Sequence, residues 1–75
     1  MFERLCEILE EYAEIPKEEM KPESDILNDL GMNSLDVMGA VVAVQEEFSV
    51  IVPDRMISSF KTLEDIVMFL EKEVG

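Results

Sequence analysis

Ser34 has the clearest chemical potential in this chain, because its hydroxyl stands at the start of the most apolar segment. It belongs to a polar turn at residues 29–36, and within residues 35–44 only Asp36 is charged. Three interpretations are open: an exposed first-turn residue of a helix, a catalytic nucleophile, or an attachment point for a phosphate-containing group. The first requires only a capping box, with Asn33 as the N-cap residue and Asp36 as its partner.

A catalytic role for Ser34 lacks the partners that such chemistry requires. A nucleophilic serine needs a base that takes its proton and a third group that orients the base. The chain has no histidine, no lysine lies near Ser34 in sequence, and residues 31–35 lack the second glycine of a Gly-x-Ser-x-Gly elbow. We therefore expect no catalytic residue and no enzyme. An attachment point needs only exposure and a site that tolerates negative charge.

The polar turn belongs to a longer ordered set of motifs. Positions 29–36 contain Asp-Leu-Gly, two further residues and Ser-Leu-Asp, and the stretches at residues 46–48, 50–53 and 62–67 follow in order. Together they resemble the acyl carrier protein family, in which this serine carries 4′-phosphopantetheine. The resemblance extends from about residue 24 to the end, and less specifically to the first helix, and it implies a single acyl carrier domain over residues 1–75.

The resemblance also implies a function, a cofactor and a first partner. A phosphopantetheinyl transferase would move 4′-phosphopantetheine from coenzyme A to Ser34, and the carrier would hold acyl intermediates as thioesters in fatty acid or related acyl biosynthesis. A helix N-terminus favours the phosphodiester by about 0.3–1 kcal/mol. We expect the acyl chain to fold back near Val42, Ile57 and Phe60, although these side chains could equally be ordinary core residues.

Four positions depart from the family pattern. Asn33 stands where aspartate is usual, and Gly39 where carriers of fatty acid synthesis usually have glutamate. Ile51 and Arg55 replace residues that are often acidic. A specialised carrier for a polyketide, lipid-modification or other dedicated pathway is therefore an open alternative. Another is an unmodified acidic helical adaptor that keeps the fold and acts by protein–protein interaction.

The chain is strongly acidic, particularly around Ser34. It has 6 basic and 18 acidic residues, a net charge of −12, and no basic residue between Lys21 and Arg55. This charge disfavours nucleic acid and anionic membranes and favours basic docking surfaces on acyl-transferring and chain-elongating enzymes, although acidity could merely keep the domain soluble. The expected docking surface consists of Leu35, Asp36, Met38, Val42, Glu46 and Glu47.

The acidic loop before Ser34 invites comparison with calcium-binding loops. An EF-hand needs a glycine at its sixth position and a glutamate at its twelfth. Counting from Asp25, these positions hold Leu30 and Asp36. We expect no specific metal site and only weak divalent binding, and an acidic metal-responsive bundle remains the third function class.

The first half of the chain is expected to form one helix and a long loop. Apolar residues at three- and four-residue spacing predict a helix that begins near Phe2 and ends before Pro16, with Cys6 in the core. Residues 15–33 lose this period and predict a long ordered loop. Three apolar side chains are expected to hold the loop against the core: Ile26, Leu27 and Leu30.

The second half is expected to supply three more helices. Residues 34–48 predict a central helix that is packed by the others, because it is apolar almost all round, with Gly39 marking close packing or room for a bound chain. A brief helix at residues 54–59 and a last helix capped by Thr62 and Asp65 follow. The sequence thus predicts a small all-α four-helix bundle with three longer helices, one short helix and a long first loop.

No feature of the sequence indicates export or membrane anchoring. One cysteine cannot form an internal disulfide. The longest apolar run, at residues 37–44, is far shorter than the roughly 18 residues of a membrane span. We expect a cytoplasmic monomer without a signal peptide and without membrane insertion.

Overall fold

Four α-helices and one short 3₁₀ turn make up the fold in the computed structural model, which describes residues 1–74. Within this range the chain forms no β-strand, and an isolated antiparallel bridge joins Asp25 to Thr62. The predicted all-α bundle with three longer helices, one short helix and a long first loop is confirmed. The helices are α1 (Phe2–Glu10), α2 (Ser34–Phe48), α3 (Asp54–Ile57) and α4 (Leu63–Val74).

α1 is amphipathic and buries one face in the bundle. Leu5, Cys6, Ile8 and Leu9 are buried, at the spacing that places residues on one side of a helix. The helix ends at Glu10, where two N–H groups of the following turn donate to the Leu9 carbonyl at 2.9 Å. The predicted end before the first proline and the core position of Cys6 are confirmed.

The loop at residues 15–33 is ordered by a short turn and by pairing with the start of α4. The 3₁₀ turn Lys17–Glu19 lies near its beginning. The Ile26 N–H donates to the Lys61 carbonyl at 2.9 Å and the Leu63 N–H donates to the Ser24 carbonyl at 3.2 Å, which ties the middle of the loop to the start of the last helix. Ile26 and Leu30 are buried, as predicted.

Leu27 does not belong to the core. Its side chain is 57% exposed, so the prediction that it holds the loop against the core is wrong. The Asp25 carboxylate accepts the N–H groups of Leu27 and Asn28 at 3.0 and 2.8 Å. These bonds fold residues 25–28 into a tight turn of the kind that aspartate favours, and the turn directs Leu27 toward solvent.

α2 has the predicted limits but is not enclosed on all sides. Ala40 and Val44 are its buried residues, whereas Met38 and Val42 are 50% and 51% exposed. The predicted packing of α2 by the other helices therefore holds for the face with Ala40 and Val44 and not for the face with Met38 and Val42. Leu9 of α1 and Leu70 of α4 line a small apolar cavity together with Ala40 and Val44, so these two helices cover the buried face of α2. The apolar side chains of the other face meet solvent.

Gly39 marks a close approach between α2 and the turn after α1. A Cβ atom at Gly39 would lie 2.9 Å from Tyr12 Cε1, which is closer than ordinary van der Waals contact. Of the two roles predicted for this glycine, close packing is confirmed.

The chain after α2 closes the bundle. Of the helix predicted at residues 54–59, α3 contains residues 54–57, which is one turn. α4 begins with the predicted cap, because Thr62 Oγ1 accepts the Asp65 N–H at 3.4 Å and Asp65 Oδ2 accepts the Thr62 N–H at 3.1 Å. Leu63 and Leu70 of α4 are fully buried. Over residues 1–74, no helix has the length and apolar character needed to cross a membrane.

Candidate functional site

Ser34 is the first residue of α2, and its side chain is exposed. A reciprocal capping box holds the turn around it: Asn33 Oδ1 accepts the Asp36 N–H at 2.8 Å, and Asp36 Oδ2 accepts the Asn33 N–H at 3.2 Å. The capping roles predicted for Asn33 and Asp36 are confirmed. Because these two neighbouring side chains bond to backbone, the cap is complete without the Ser34 hydroxyl, which faces solvent.

Gly31 sets the direction from which the chain enters α2. Its φ is +71°, a conformation that glycine adopts without steric cost. A Cβ atom there would also collide with the Glu14 side chain, and the Glu14 N–H donates to the Leu30 carbonyl at 2.8 Å. Leu30 and Met32, on either side of the glycine, are buried. The segment that leads to Ser34 is therefore fixed to the core.

The start of α2 favours a negative charge. The cap occupies the Asp36 N–H, and the Val37 N–H donates to the Asn33 carbonyl at 3.0 Å. The N–H groups of Ser34 and Leu35 are therefore the first-turn donors without an intrahelical partner. Together with the helix dipole, such donors stabilise an anion by about 0.3–1 kcal/mol. The Asp36 carboxylate opposes this effect, but it is already engaged by the Asn33 N–H.

An apolar groove of about 250 Å³ begins beside Ser34. Ile57 and Phe60, two of the three residues predicted to meet an acyl chain, are part of its lining. The third, Val42, lies outside this lining and is 51% exposed, so the structure does not place it with the other two. Sequence reasoning missed five other residues of the groove: Ile26, Leu27, Val37, Met38 and Ser58.

Behind the groove lies a small apolar cavity inside the bundle. Its volume is about 30 Å³, enough for roughly one water molecule but not for an alkyl chain. Ile26, Val37 and Phe60 line both the groove and this cavity, and so form the wall between them. A chain that extends beyond the groove would have to move this wall.

The apolar members of the predicted docking surface form an exposed stripe on α2. Leu35, Met38 and Val42 are 82%, 50% and 51% exposed, and their spacing of three and four residues places them on one face. Of the acidic members, Glu46 is exposed. Asp36 is half-buried and occupied by the cap described above.

Glu47, the last acidic member of the predicted surface, is paired within the protein. Its carboxylate accepts a hydrogen bond from the Arg4 guanidinium at 2.8 Å, which joins α1 to the end of α2. This hydrogen bond lowers the pKa of the Glu47 carboxyl and raises that of Arg4. Sequence reasoning missed the pair because its members are 43 residues apart. The signal in the sequence that could have indicated the pair was Arg4, an arginine in the otherwise acidic helix α1.

The acidic side chains of the loop serve its turns. The Asp29 carboxylate accepts the Asp25 N–H at 2.7 Å, and the Asp25 carboxylate accepts the N–H groups already described. Throughout residues 1–74, no group of three or more ligating side chains is arranged to hold a metal ion. These carboxylates therefore act as local hydrogen-bond acceptors in the fold.

A family model described as "Phosphopantetheine attachment site" matches residues 3–70. The matched region contains Ser34, the capping box and the groove. Fold and site together thus define a carrier domain for phosphopantetheine.

Curated relatives agree with this assignment. An acyl carrier protein of Thermobifida fusca is 35% identical over 68 residues, covering 91% of this chain and 86% of the relative. One of Helicobacter hepaticus is 37% identical over 70 residues, covering 93% and 92%. One of Phytoplasma mali is 32% identical over 74 residues, covering 99% and 88%.

The chain therefore belongs to the acyl carrier protein family, as its motifs predicted. Members of this family are carriers rather than catalysts, so the expectation that the chain is not an enzyme is confirmed. The cofactor of the family is 4′-phosphopantetheine. Its general partners are phosphopantetheinyl transferases and acyl-processing enzymes.

Proposed function

We propose that Ser34 carries 4′-phosphopantetheine and that residues 1–75, acting as one carrier domain, hold acyl intermediates as thioesters. The observation that carries this proposal is the exposed Ser34 hydroxyl at the start of α2, inside the matched region. The capping box holds this hydroxyl at the helix start without using it, so a transferase can reach it on a fixed backbone.

The other serines are poorer attachment points. Ser24 is buried, and Ser49 is the C-cap residue of α2. The hydroxyls of Ser58 and Ser59 donate to backbone carbonyls at the end of α3. The helix dipole disfavours an anion at a helix C-terminus and favours one at an N-terminus. The negative charge of the phosphodiester therefore also favours Ser34 over the other serines as the attachment point.

The residues around Ser34 fit the prosthetic group. When bound, the group supplies a thiol on a long flexible arm, and this thiol forms the thioester. The free N–H groups of Ser34 and Leu35 would donate hydrogen bonds to the anionic oxygens of the phosphodiester. The groove beside Ser34 offers Met38, Ile57 and Phe60 to the apolar part of the cargo.

The cargo that these features support is an acyl chain of fatty acid or related biosynthesis. A chain that lies in the groove is shielded from water on the side of α2 and α3. Asn33, Gly39, Ile51 and Arg55 depart from the usual family pattern, and these departures support a specialised pathway. We propose that the carrier acts as a monomer in the cytoplasm.

The docking surface for the transferase and for acyl-transferring and chain-elongating enzymes is the exposed face of α2. Leu35, Met38 and Val42 supply its apolar stripe. Asp36, Glu46 and Glu47 supply acidic groups for basic partner surfaces, in a region without a basic residue between Lys21 and Arg55. Glu47 can meet a partner cation only by sharing or leaving Arg4.

Loading with an acyl group tests this function directly. The unmodified protein is incubated with magnesium, a broad-specificity phosphopantetheinyl transferase and octanoyl-coenzyme A, and its intact mass is then measured. We expect a gain of one octanoyl-phosphopantetheine, from which neutral hydroxylamine removes only the octanoyl part because the link is a thioester. No gain of mass, beside a control carrier that is loaded, would overturn the proposal and favour an adaptor of the same fold.

A further inference from the structure

A second groove lies between α3 and α4, and Ser34 does not line it. Its volume is about 540 Å³. Pockets that bind small molecules typically have volumes of about 300–1,000 Å³, so this groove has the size of a ligand site. It is open to solvent, and neither the capping box nor the predicted docking surface contributes to it.

The floor of the second groove is apolar, and part of it is exposed. The rings of Phe60 and Phe69 meet edge to face with their centroids 5.7 Å apart, and both line the groove. Met68 and Ile51 extend this surface and are 61% and 81% exposed. Because the fold leaves Met68 and Ile51 exposed, a ligand or partner that covers them would gain hydrophobic contact.

Two cations border the apolar floor. Arg55 comes from α3 and Lys72 from α4. In the part of the chain that the structure describes, every ion pair involves Arg4 or Lys17, so neither border cation is neutralised by a carboxylate there. In a protein with a net charge of −12, two such cations beside one groove form a local exception.

Two acidic residues also line the groove, and they differ in how far they offset the positive charge of Arg55 and Lys72. The Asp65 carboxylate accepts the N–H groups of Lys61 and Thr62 at 2.9 and 3.1 Å, as part of the α4 cap. These bonds lower the pKa of Asp65 and hold its Oδ2 atom against the backbone at the start of α4, where the helix dipole partly offsets the carboxylate charge. Glu73 is the remaining acid of the lining.

We propose that the second groove binds a free single-chain anionic amphiphile, with its alkyl tail on the Phe60, Phe69 and Met68 floor and its carboxylate or phosphate against Arg55 and Lys72. The apolar floor complements the alkyl tail of this ligand, and the two cations, which form no ion pair within residues 1–74, complement its anionic head group. A second copy of the chain or an anionic bilayer fits less well, because a net charge of −12 repels both. A single anion is affected less, since at physiological salt the surrounding charges are screened beyond about 8 Å. This proposal does not depend on modification of Ser34.

The experiment is a titration of the isotope-labelled full chain, followed by the backbone amide signals in NMR spectra. Ser34→Ala protein is used so that no prosthetic group is present. The probes are decanoate below its micelle concentration, acetate, and decyltrimethylammonium. We expect saturable shifts at Ile51, Met68 and Phe69 with decanoate, and binding at least about tenfold weaker for the two other probes, because each lacks one of the two interactions.

Matched variants identify the cations. Arg55→Gln and Lys72→Gln should each weaken decanoate binding by about three- to fivefold, the size of an exposed charge contact. Lys61→Gln removes the same charge from an exposed residue outside the lining, and it should leave the affinity unchanged within about twofold. Equal binding of decyltrimethylammonium, an equal effect of Lys61→Gln, or no saturation at millimolar decanoate would overturn the proposal. So would shifts confined to the groove beside Ser34, or binding to anionic vesicles without binding to decanoate.

Discussion

The Asn33 and Asp36 side chains each accept the other's backbone N–H, at 2.8 and 3.2 Å, and Ser34 lies between them in the chain. The reciprocal pair begins α2 and satisfies one donor on each side of the serine. Ser34 is therefore presented by a structure that does not need its hydroxyl. Presentation of this kind suits a residue that another enzyme modifies, because the modification breaks no bond of the fold.

The capping box predicts a measurable loss of stability when its acceptor is removed. Asn33→Ala should lower the free energy of unfolding by about 1 kcal/mol, the usual cost of losing an N-cap side chain. Asn33→Asp keeps the acceptor and should change stability by less than about half of that amount. Urea denaturation measures both. Equal stability of the alanine variant and the original protein would show that the cap does not stabilise α2.

The contact between Gly39 and Tyr12 predicts that Gly39→Ala destabilises the protein when Tyr12 is present and stabilises it when Tyr12 is absent. Gly39→Ala would stabilise an isolated helix by roughly 1 kcal/mol, but the added Cβ forces the tyrosine ring to move, and overpacking costs about 1–3 kcal/mol. We expect a net loss of about 1 kcal/mol. In a Tyr12→Ala background the same change should stabilise, because the obstacle is gone. Thermal or urea denaturation of the original protein, the two single variants and the double variant completes a double-mutant cycle. Stabilisation by Gly39→Ala in both backgrounds would contradict the close contact.

The Arg4–Glu47 pair predicts a pH dependence. The Arg4 hydrogen bond holds the pKa of the Glu47 carboxyl below its ordinary value of 4.5. Because the folded state has the lower pKa, the pair contributes stability above the ordinary pKa of about 4.5. That stability is lost as the pH falls through the pKa of the folded state.

An NMR titration of the Glu47 side-chain carboxyl measures this shift. Arg4→Gln should return its pKa toward 4.5. Lys17→Gln is the control, because the Lys17 ammonium contacts Glu7 at 3.4 Å and does not contact Glu47. A Glu47 titration that is the same with and without Arg4 would show that the ion pair does not form in solution.

The net charge of −12 predicts that salt stabilises the fold. Self-repulsion between carboxylates is screened by ions, so sodium chloride or millimolar magnesium should raise the melting temperature. Differential scanning calorimetry in both salts at matched ionic strength separates general screening from binding of the divalent ion. An unchanged melting temperature in both would show that self-repulsion is unimportant.

The groove beside Ser34 predicts that the loaded carrier protects its thioester according to chain length. Longer acyl chains reach more of the Ile57 and Phe60 surface, so spontaneous hydrolysis should slow as the chain lengthens. Ile57→Ser should reduce this protection, whereas Val42→Ser, outside the lining, should leave it unchanged. Hydrolysis is followed by intact mass. Rates that do not depend on chain length would show that the cargo stays in solvent.

Short sequence patterns correctly predicted the features of the fold that depend on interactions between residues close together in the chain, such as the helix caps. The start of α2 and the Asn33–Asp36 box follow from side chains three residues apart, and the Thr62–Asp65 cap follows in the same way. These bonds form within one turn of a helix, so their geometry depends little on the rest of the chain. Burial of Cys6 followed equally well from the period of α1.

Features that depend on distant segments were not predictable in the same way. An apolar residue in a loop is expected to be buried, but the Asp25 turn directs Leu27 outward. The apolar composition of α2 does not show which of its faces the other helices cover, and Val42 lies on the uncovered one. The Arg4–Glu47 bond requires the packing of α1 against the end of α2, which no local pattern encodes.

The most direct test of the attachment site compares the original protein with Ser34→Ala and Ser58→Ala. Both serines line the same groove, but only Ser34 stands at a helix N-terminus. Each protein is incubated with coenzyme A, magnesium and a broad-specificity phosphopantetheinyl transferase, and its intact mass is measured. We predict the gain of one phosphopantetheine by the original protein and by Ser58→Ala, and none by Ser34→Ala. A gain by Ser34→Ala, or its loss in Ser58→Ala with Ser34 intact, would contradict the assignment of Ser34 as the attachment residue.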